Sequence, residues 1–361
     1  MRRRHDGHLS RLTHFLSGTY TQRVRAARIL ALILVLLAPA AAIADPDLAL
    51  DLDTLQSDVT LDLLTFAPNA CELQPIDLCV GGAGARKLLR FSVFVVNQGD
   101  TDLVLGMPDP NTLLPGTMQR EWTFSTCHHH WHFKSFARYE LRRHGETTPV
   151  NTGLKRSFCV EDTKAATSMN PRRYCCAVGV VCEHTGTQGV QVGWGDLYPS
   201  NLPCQWIDIT DTPPGDYDLC VFVDTATLAL ASGQQDANPT NDSGCIHLPP
   251  DTIVGPSKAQ PAPVVKVRAP HAHQKRRVGQ TLSIAWQRHV KGGVKVQEIW
   301  FSQDGGATYE LIASGLDAKR RSYRWTIPAG AATEQARIKV IAWSMALQRG
   351  IGESRVFRVL P

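Results

Sequence analysis

The chain has 361 residues, of which 38 are lysine or arginine and 33 are aspartate or glutamate. Seven of the arginines and a single acid fall in residues 1–44, so the rest of the chain carries 31 basic and 32 acidic residues. This near-neutral balance gives no excess of positive charge that would attract a nucleic acid.

The first 44 residues have the pattern of an export signal. Arginines continue up to Arg28, an apolar run follows from Ile29 to Leu37, and small residues end at Ala44. This pattern predicts cleavage before Asp45. The apolar run is short for a stable membrane span. We therefore predict a secreted protein, periplasmic or extracellular, without a transmembrane anchor after signal cleavage.

All ten cysteines lie between Cys71 and Cys245. An exported chain folds in an oxidising environment, so this cysteine content predicts a disulfide framework. Thiolate metal binding is the alternative, but no paired C-x-x-C spacing favours it. The pairing of the cysteines cannot be deduced from their spacing.

Period-two alternation of apolar residues predicts strands along the whole mature chain, among them Leu88–Val96 and Tyr217–Val223. A proline-rich segment, residues 249–264, is predicted to be a linker between residues 45–248 and residues 265–361. The last segment has short strands and no cysteine, which is typical of an immunoglobulin- or fibronectin-like β-sandwich. The predicted fold is all-β, with a disulfide-stapled β domain at residues 45–248 followed by this sandwich.

Four of the 13 histidines fall within six residues, Cys127-His-His-His-Trp-His132. The aromatic flanks of this motif predict a strand, in which alternate side chains share a face. His128, His130 and His132 would then lie on one face. Three neutral imidazoles suit copper, zinc, iron or nickel, so the spacing predicts a metal site without identifying the metal. A packed or solvated histidine cluster is the alternative.

Four stretches of the chain together resemble the lysyl oxidase family of copper amine oxidases, and they occur in the family's order. The resemblance covers residues 66–248. The stretches are Leu88–Phe91 with Val96–Asp100, the histidine motif Cys127–His132, Gly153–Thr163, and Gly193–Tyr198 continuing to Thr210.

The resemblance implies copper ligands at His128, His130 and His132. It also implies a lysine tyrosylquinone cofactor, formed from Lys155 and Tyr198, with Asp196 as the catalytic base. The activity implied is oxidation of primary amines, with protein lysine side chains as one candidate, to aldehydes. Dioxygen is the oxidant, and hydrogen peroxide and ammonia are released. Such chemistry needs an electrophilic cofactor and a base for the α-proton, which accounts for these residue types.

The chain also departs from the family pattern. His129 and Trp131 replace a glutamine and a tyrosine of the family's copper motif, and the segment between Lys155 and Tyr198 is longer and contains the additional Cys176. The family counterparts of Cys127 and of one of Cys175 or Cys176 are disulfide-bonded.

Two other functions remain open from the sequence. An exported metal-binding structural or adhesive protein would keep the histidine motif without forming the quinone or acting as an oxidase. A zinc hydrolase would use three histidine ligands with one open coordination position, but no glutamate is suitably placed after the histidines, so it ranks last.

Overall fold

A computed structural model of the chain describes residues 45–75, 77–107, 122–125, 127, 130–133, 135–155, 159–175, 182–254 and 260–361. The predicted signal, residues 1–44, lies outside these residues. In the part of the chain that is described, no helix has the length and apolarity needed to cross a membrane.

Strands dominate the fold, and the helices are short. The helices are α1 Leu52–Ser57, α2 Thr225–Ser232 and α3 Pro250–Val254, with a 3-10 turn at Cys71–Leu73. The strands are β1 Leu48–Leu50, β2 Val59–Phe66, β3 Gly84–Phe91, β4 Val93–Asn97, β5 Leu103–Gly106, β6 Trp122–Ser125, β7 His130–Phe133, β8 Ala137–Arg143, β9 Pro149–Lys155, β10 Lys164–Ala165, β11 Tyr174–Cys175, β12 His184–Thr185, β13 Gln188–Val190, β14 Trp194–Tyr198, β15 Trp206–Asp208, β16 Tyr217–Val223, β17 Ser243–Leu248, β18 Val264–Ala269, β19 Lys275–Arg277, β20 Thr281–His289, β21 Val294–Ser302, β22 Glu310–Leu316, β23 Ser322–Thr326, β24 Thr333–Ser344, β25 Arg349–Glu353 and β26 Phe357–Leu360.

Three sheets surround the core of the N-terminal part, residues 45–254. Their strand orders are β1-β4-β14-β10, β15-β3-β2 and β17-β16-β8-β9. Large buried aromatic residues fill the space between them; Phe91 meets Tyr139 edge-on, with ring centroids 4.9 Å apart. Such pairs add packing energy beyond the burial of their area.

The segment predicted as one strand, Leu88–Val96, is divided between two sheets. β3 ends and β4 begins on either side of Ser92. The Ser92 hydroxyl bonds to the Asp58 carboxylate and accepts the N–H of Ser200 at 2.9 Å. This polar anchor interrupts the apolar run, so that β3 pairs with β2 and β15 while β4 pairs with β14.

The histidine motif ends in a two-stranded hairpin, β6-β7, in which Trp122 is opposite Phe133. These two rings pack edge-on at 5.2 Å, and Phe133 is completely buried. Trp131 is half-buried and packs against the same core. Aromatic residues at alternate positions therefore attach β7 to the core. His128 and His129 lie outside the described residues.

Disulfides cross-link the N-terminal part, as the sequence predicts. Every described cysteine is disulfide-bonded, including Cys159. Four of the pairs are Cys71–Cys127, Cys79–Cys204, Cys175–Cys182 and Cys220–Cys245. The first of these attaches the residue that opens the histidine motif to the 3-10 turn.

The C-terminal sandwich, residues 264–361, consists of two sheets, as predicted. One has the order β18-β20-β23, and the other has the order β19-β26-β24-β21-β22, with β25 paired to β24. Apolar residues at alternate strand positions fill the space between the sheets, because alternate side chains share a face. They include Leu282, Ile284, Trp286, Ile299, Phe301, Ile338 and Phe357.

An apolar cluster joins β2 and β3 to the C-terminal sandwich. Its buried members are Leu63, Ala85, Val296, Ile341, Trp343 and Leu347. Beside it, the Glu298 carboxylate accepts the N–H of Ala85 and is only 1% exposed. Within the segment predicted as a linker, residues 249–264, α3 packs on the N-terminal part and buries Ile253. The two parts of the chain therefore share a packed contact.

The buried carboxylate at this contact predicts a pH-dependent stability. Burial raises the pKa of Glu298 from 4.5 to about 7. The carboxyl group of Glu298 therefore stays protonated in the folded protein at pH values where it is ionised in the unfolded chain. The contribution of this proton to the free energy of unfolding is fully present below about pH 4.5. It is lost as the pH rises through about 7, which lowers the free energy of unfolding by on the order of 3 kcal/mol.

We expect Glu298→Gln to reduce the loss of stability between pH 5 and pH 8, because glutamine can still accept the N–H of Ala85 but does not ionise. The measurement is urea denaturation across this pH range. Glu310→Gln, at an exposed position of β22, is the matched control. Identical pH slopes for the wild type and Glu298→Gln would contradict the prediction.

Candidate active site

The strand β14 carries two of the predicted site residues, and two glycines allow its path. Gly193 has a φ of +76°, a conformation that favours glycine, and its carbonyl accepts three N–H groups from residues 166–168. A Cβ on Gly195 would lie 2.5 Å from the Phe94 ring and 2.6 Å from the Val95 carbonyl. The Gly-Trp-Gly sequence therefore lets β14 lie directly against β4.

Asp196 and Tyr198 are two positions apart on β14, so their side chains share a face. The Tyr198 hydroxyl donates a hydrogen bond to Asp196 Oδ2. Their exposed fractions are only 2% for Tyr198 and 0% for Asp196. The Phe136 ring packs against the Tyr198 ring with centroids 5.3 Å apart. The structure thus brings the predicted base and the predicted cofactor tyrosine into direct contact.

The surroundings keep the Tyr198 phenol neutral. Burial, and then the charge and hydrogen bond of Asp196, raise the pKa of Tyr198 well above 10. Burial also raises the pKa of Tyr139, whose hydroxyl donates to Gln205 Oε1 at 3.1 Å. Gln205 Nε2 is buried without a hydrogen-bond partner among the described residues. The site therefore combines a dry environment with one unused donor.

Residues just after Cys159 position the Asp196 carboxylate. Glu161 N–H donates to Asp196 Oδ2 at 3.3 Å, and the Thr163 hydroxyl lies 3.4 Å from Oδ1. The same hydroxyl lies 3.2 Å from the Gly195 carbonyl and accepts the N–H of Leu197. Contacts on both oxygens fix the orientation of the carboxylate.

Asp162 organises the loops beside this carboxylate. It is completely buried and accepts the N–H groups of Arg173 and Tyr174 at 3.0 Å. It also accepts from Gln191, at 2.9 Å from the backbone N–H and 3.2 Å from the side-chain amide. One side chain therefore joins three parts of the chain that surround β14.

Replacing Asp162 by alanine should lower the free energy of unfolding by about 3 kcal/mol or more, because buried N–H groups would lose their acceptor. Urea denaturation of the purified variant measures this. Asp100→Ala, at an exposed position, is the control and should change stability by less than about 0.5 kcal/mol. A comparably small effect of Asp162→Ala would mean that these hydrogen bonds are replaced by water.

The backbone of the predicted lysine, Lys155, lies near this site. Lys155 is the last residue of β9 and is opposite Ala137 in the β8-β9 register. Ala137 directly follows Phe136, whose ring contacts Tyr198. The Lys155 side chain lies outside the part of the chain that is described.

The predicted metal ligands are described only in part. His130 and His132 are in β7, where they are opposite Ser125 and Thr123. Their side chains, and all of His128, lie outside the described residues. The three-histidine ligand set therefore stays a prediction.

The described residues fit the tyrosine-derived cofactor that the sequence implies. The Tyr198 hydroxyl sits in a dry environment beside a buried carboxylate, which suits a tyrosine-derived cofactor served by a base. For copper the structure gives only the backbone positions of His130 and His132, which alternate along β7, and imidazole is a ligand that copper accepts.

A cleft of about 610 Å³ lies elsewhere, between β9 and β15. Leu78, Arg86, Val150, Asp208 and Asp211 are among its lining residues. Neither Asp196 nor Tyr198 lines it, so it is not the site built on β14.

Sequence reasoning missed several supporting residues. Phe136, Glu161, Asp162 and Thr163 had no assigned role, although the last three belong to the stretch Gly153–Thr163 that resembles the family. Position in that stretch was the one available signal. Their contacts join residues that are separated by 11 to 62 positions, and no local sequence pattern predicts them.

Comparison with known proteins finds relatives of the N-terminal part of the chain. Residues 67–241 match the lysyl oxidase family model. Human lysyl oxidase homolog 4 is 40% identical over 141 residues, which are 39% of this chain and 16% of that protein. Bovine lysyl oxidase homolog 4 is 37% identical over 185 residues, or 49% of this chain and 22% of that protein.

Human lysyl oxidase homolog 2 is 33% identical over 179 residues, which are 48% of this chain and 21% of that protein. The matched region thus spans about a fifth of these relatives. Among solved structures, the fibronectin(III)-like modules of Clostridium thermocellum CbhA match with 21% identity and a TM-score of 0.20, covering 27% of this chain and 94% of that one. Residues 67–241 of the chain therefore belong to the lysyl oxidase family.

Proposed function

We propose that the protein is a copper-dependent amine oxidase that oxidises primary amines, protein lysine side chains among the candidates, to aldehydes. Dioxygen is the oxidant, and hydrogen peroxide and ammonia are the other products. The observation that carries the proposal is the buried hydrogen bond from Tyr198 to Asp196. The two residues of this hydrogen bond occupy motif positions in the region that matches the lysyl oxidase family model.

The proposed ligands of copper are His128, His130 and His132, and the proposed precursors of lysine tyrosylquinone are Lys155 and Tyr198. When bound, these groups supply an electrophilic carbonyl that accepts the amine and its electrons, and a route for passing the electrons to dioxygen. Backbone proximity supports the pairing, since Lys155 is opposite the residue that follows Phe136.

Asp196 is proposed as the general base that removes the α-proton of the amine. The Glu161 N–H and the Thr163 hydroxyl hold its two oxygens in place, so that Oδ2 is directed toward Tyr198. Phe136 covers the Tyr198 ring and excludes water from it. A fixed carboxylate in a dry site is an efficient proton acceptor, because little reorganisation is needed.

The proposed domain organisation follows the same assignment. Residues 1–44 are a cleaved signal, residues 45–248 the catalytic domain, residues 249–264 a linker, and residues 265–361 an accessory sandwich. The disulfides of the N-terminal part support export to the periplasm or the extracellular space.

The decisive experiment uses copper-loaded protein purified in air. It should absorb visible light, react with phenylhydrazine and release hydrogen peroxide with n-butylamine. Peptide mapping should find a cross-link joining the regions of Lys155 and Tyr198, and Lys155→Arg should remove it. A colourless, uncross-linked protein that is fully loaded with copper would overturn the proposal and favour a metal-binding structural or adhesive protein.

A further inference from the structure

A second group of potential metal ligands lies on the neighbouring strands β16 and β17 and in the turn after β8. His144 Nδ1 is 2.8 Å and His247 Nδ1 is 3.4 Å from the same oxygen, Asp218 Oδ1. One potential ligand atom from each residue lies within 4.8 Å of the others. Both imidazoles are about half exposed, so an ion can reach them from solvent.

Strand register brings these residues together. Asp218 of β16 is directly opposite His247 of β17 and, on its other side, Arg142 of β8. His144 follows two residues after Arg142, and its N–H donates to the Asp216 carbonyl at 3.0 Å. Directly opposed residues of neighbouring strands share a face. The sheet therefore pairs Asp218 with His247, and the turn after β8 brings His144 to the same carboxylate.

Two features make the cluster rigid. The disulfide Cys220–Cys245 joins β16 and β17 at the opposed pair two residues from Asp218 and His247. The Gly145 N–H donates to Asp218 Oδ2 at 3.2 Å, which holds that oxygen and leaves Oδ1 directed at the imidazoles. A ligand set fixed in this way loses little freedom when an ion binds.

The donor set selects the class of ion. Two imidazoles and one carboxylate suit a zinc-like divalent ion, whereas calcium and magnesium require more oxygen ligands. With metal–ligand bonds of about 2.0–2.1 Å, tetrahedral ligand atoms are about 3.3 Å apart. The two separations observed, 2.8 and 3.4 Å, are near that value.

A further carboxylate completes the pattern. Asp216 Oδ1 lies 3.3 Å from His247 Nε2, the ring nitrogen on the opposite side from the ligand atom Nδ1. Metal-binding histidines generally donate their second ring N–H to such a carboxylate, which fixes the tautomer and the ring orientation. Asp216 is therefore assigned as the residue that orients His247.

The geometry points to a second metal site, in which His144 Nδ1, His247 Nδ1 and Asp218 Oδ1 bind one zinc-class divalent ion and water completes the coordination. This site is independent of the proposed oxidase function. By joining the turn after β8 to β16 and β17, the ion would stabilise the folded state without taking part in amine oxidation.

Zinc equivalents per chain, measured after equilibrium dialysis against ZnCl2, test this site. The wild type should hold one more equivalent than the double variant His144→Ala/His247→Ala. Both positions are exposed, so circular dichroism without metal should show the variant folded. Asp216→Ala should keep the equivalent but weaken its affinity about 10–100-fold, the usual effect of losing an orienting carboxylate.

His184→Ala is the matched control, because His184 is also exposed and has one carboxylate neighbour, Glu183, at 3.5 Å. It should leave the zinc content unchanged. Equal zinc content in the wild type and the folded double variant would overturn the site. Loss of the same equivalent in His184→Ala would also overturn it, because binding would then be general to surface histidines.

Discussion

Replacing Tyr198 by phenylalanine should abolish hydrogen peroxide release with n-butylamine, together with visible colour, phenylhydrazine reactivity and the cross-link to Lys155. Phenylalanine lacks the hydroxyl oxygen from which the quinone is derived. It keeps the ring that packs on Phe136, so the fold should survive. The copper content should remain at one equivalent per chain, because Tyr198 is not a proposed metal ligand. Peptide mapping and metal analysis measure these results on one sample.

The chain offers a matched control for this substitution. Tyr174 is also buried, and its hydroxyl donates to the Asp102 carboxylate at 3.1 Å. Tyr174→Phe therefore removes the same kind of hydrogen bond from a tyrosine that is not in the cofactor position. It should lower stability and leave activity per quinone unchanged. If Tyr198→Phe retained colour and turnover, Tyr198 would not be the cofactor tyrosine.

Much of the strand content could be predicted, because a half-buried strand imposes its own pattern. In β16, Tyr217, Leu219, Val221 and Val223 occupy alternate positions, and all four are buried in the core. The β-sandwich was predicted in the same way, from strands such as β20, in which Leu282, Ile284 and Trp286 are buried. Here the periodicity reports directly on the face that each residue presents.

The elements that were missed depend on other information. The break at Ser92 depends on Asp58 and Ser200, which are distant in sequence. The helix α2 had a local signal that was not used. Asp224 caps its N-terminus by accepting the N–H of Thr227 at 3.1 Å, and Gly233 ends it in a left-handed conformation.

Asp196, Tyr198 and Lys155 were predicted from the family resemblance, because sequence spacing alone does not bring them together. Asp196 and Tyr198 are two apart on one strand, so the strand period places their side chains on one face. Thr163 approaches Asp196 from 33 positions away, in a register that the β10-β14 pairing determines. No spacing rule predicts that approach.

The contact between the two parts of the chain alters what a truncation would do. Removing the C-terminal sandwich would expose Leu63 and Ala85, which are buried against Trp343 and its neighbours. It would also remove Glu298, which accepts the N–H of Ala85. The residues of the β14 site all precede the sandwich, so truncation should act on stability and solubility before it acts on chemistry.

Asp196→Asn should lower the turnover of n-butylamine by about 10²–10⁴-fold, the usual contribution of a positioned general base. Asparagine has nearly the same shape as aspartate but cannot accept the α-proton. The cofactor should still form, so turnover is expressed per phenylhydrazine-reactive site. With amine deuterated at the α-carbon, the kinetic isotope effect on kcat should rise, because proton removal would become more strongly rate-limiting.

Asp102→Asn is the control for this change, since Asp102 also accepts a hydrogen bond from a tyrosine hydroxyl in the same part of the chain. It should weaken the fold, because Asp102 also forms a salt bridge with Arg173, and should leave kcat per quinone unchanged. A purely structural role for Asp196 would make the two variants alike, with activity falling only in proportion to the folded, quinone-containing fraction. An undiminished turnover per quinone and an unchanged isotope effect in Asp196→Asn would therefore exclude Asp196 as the base.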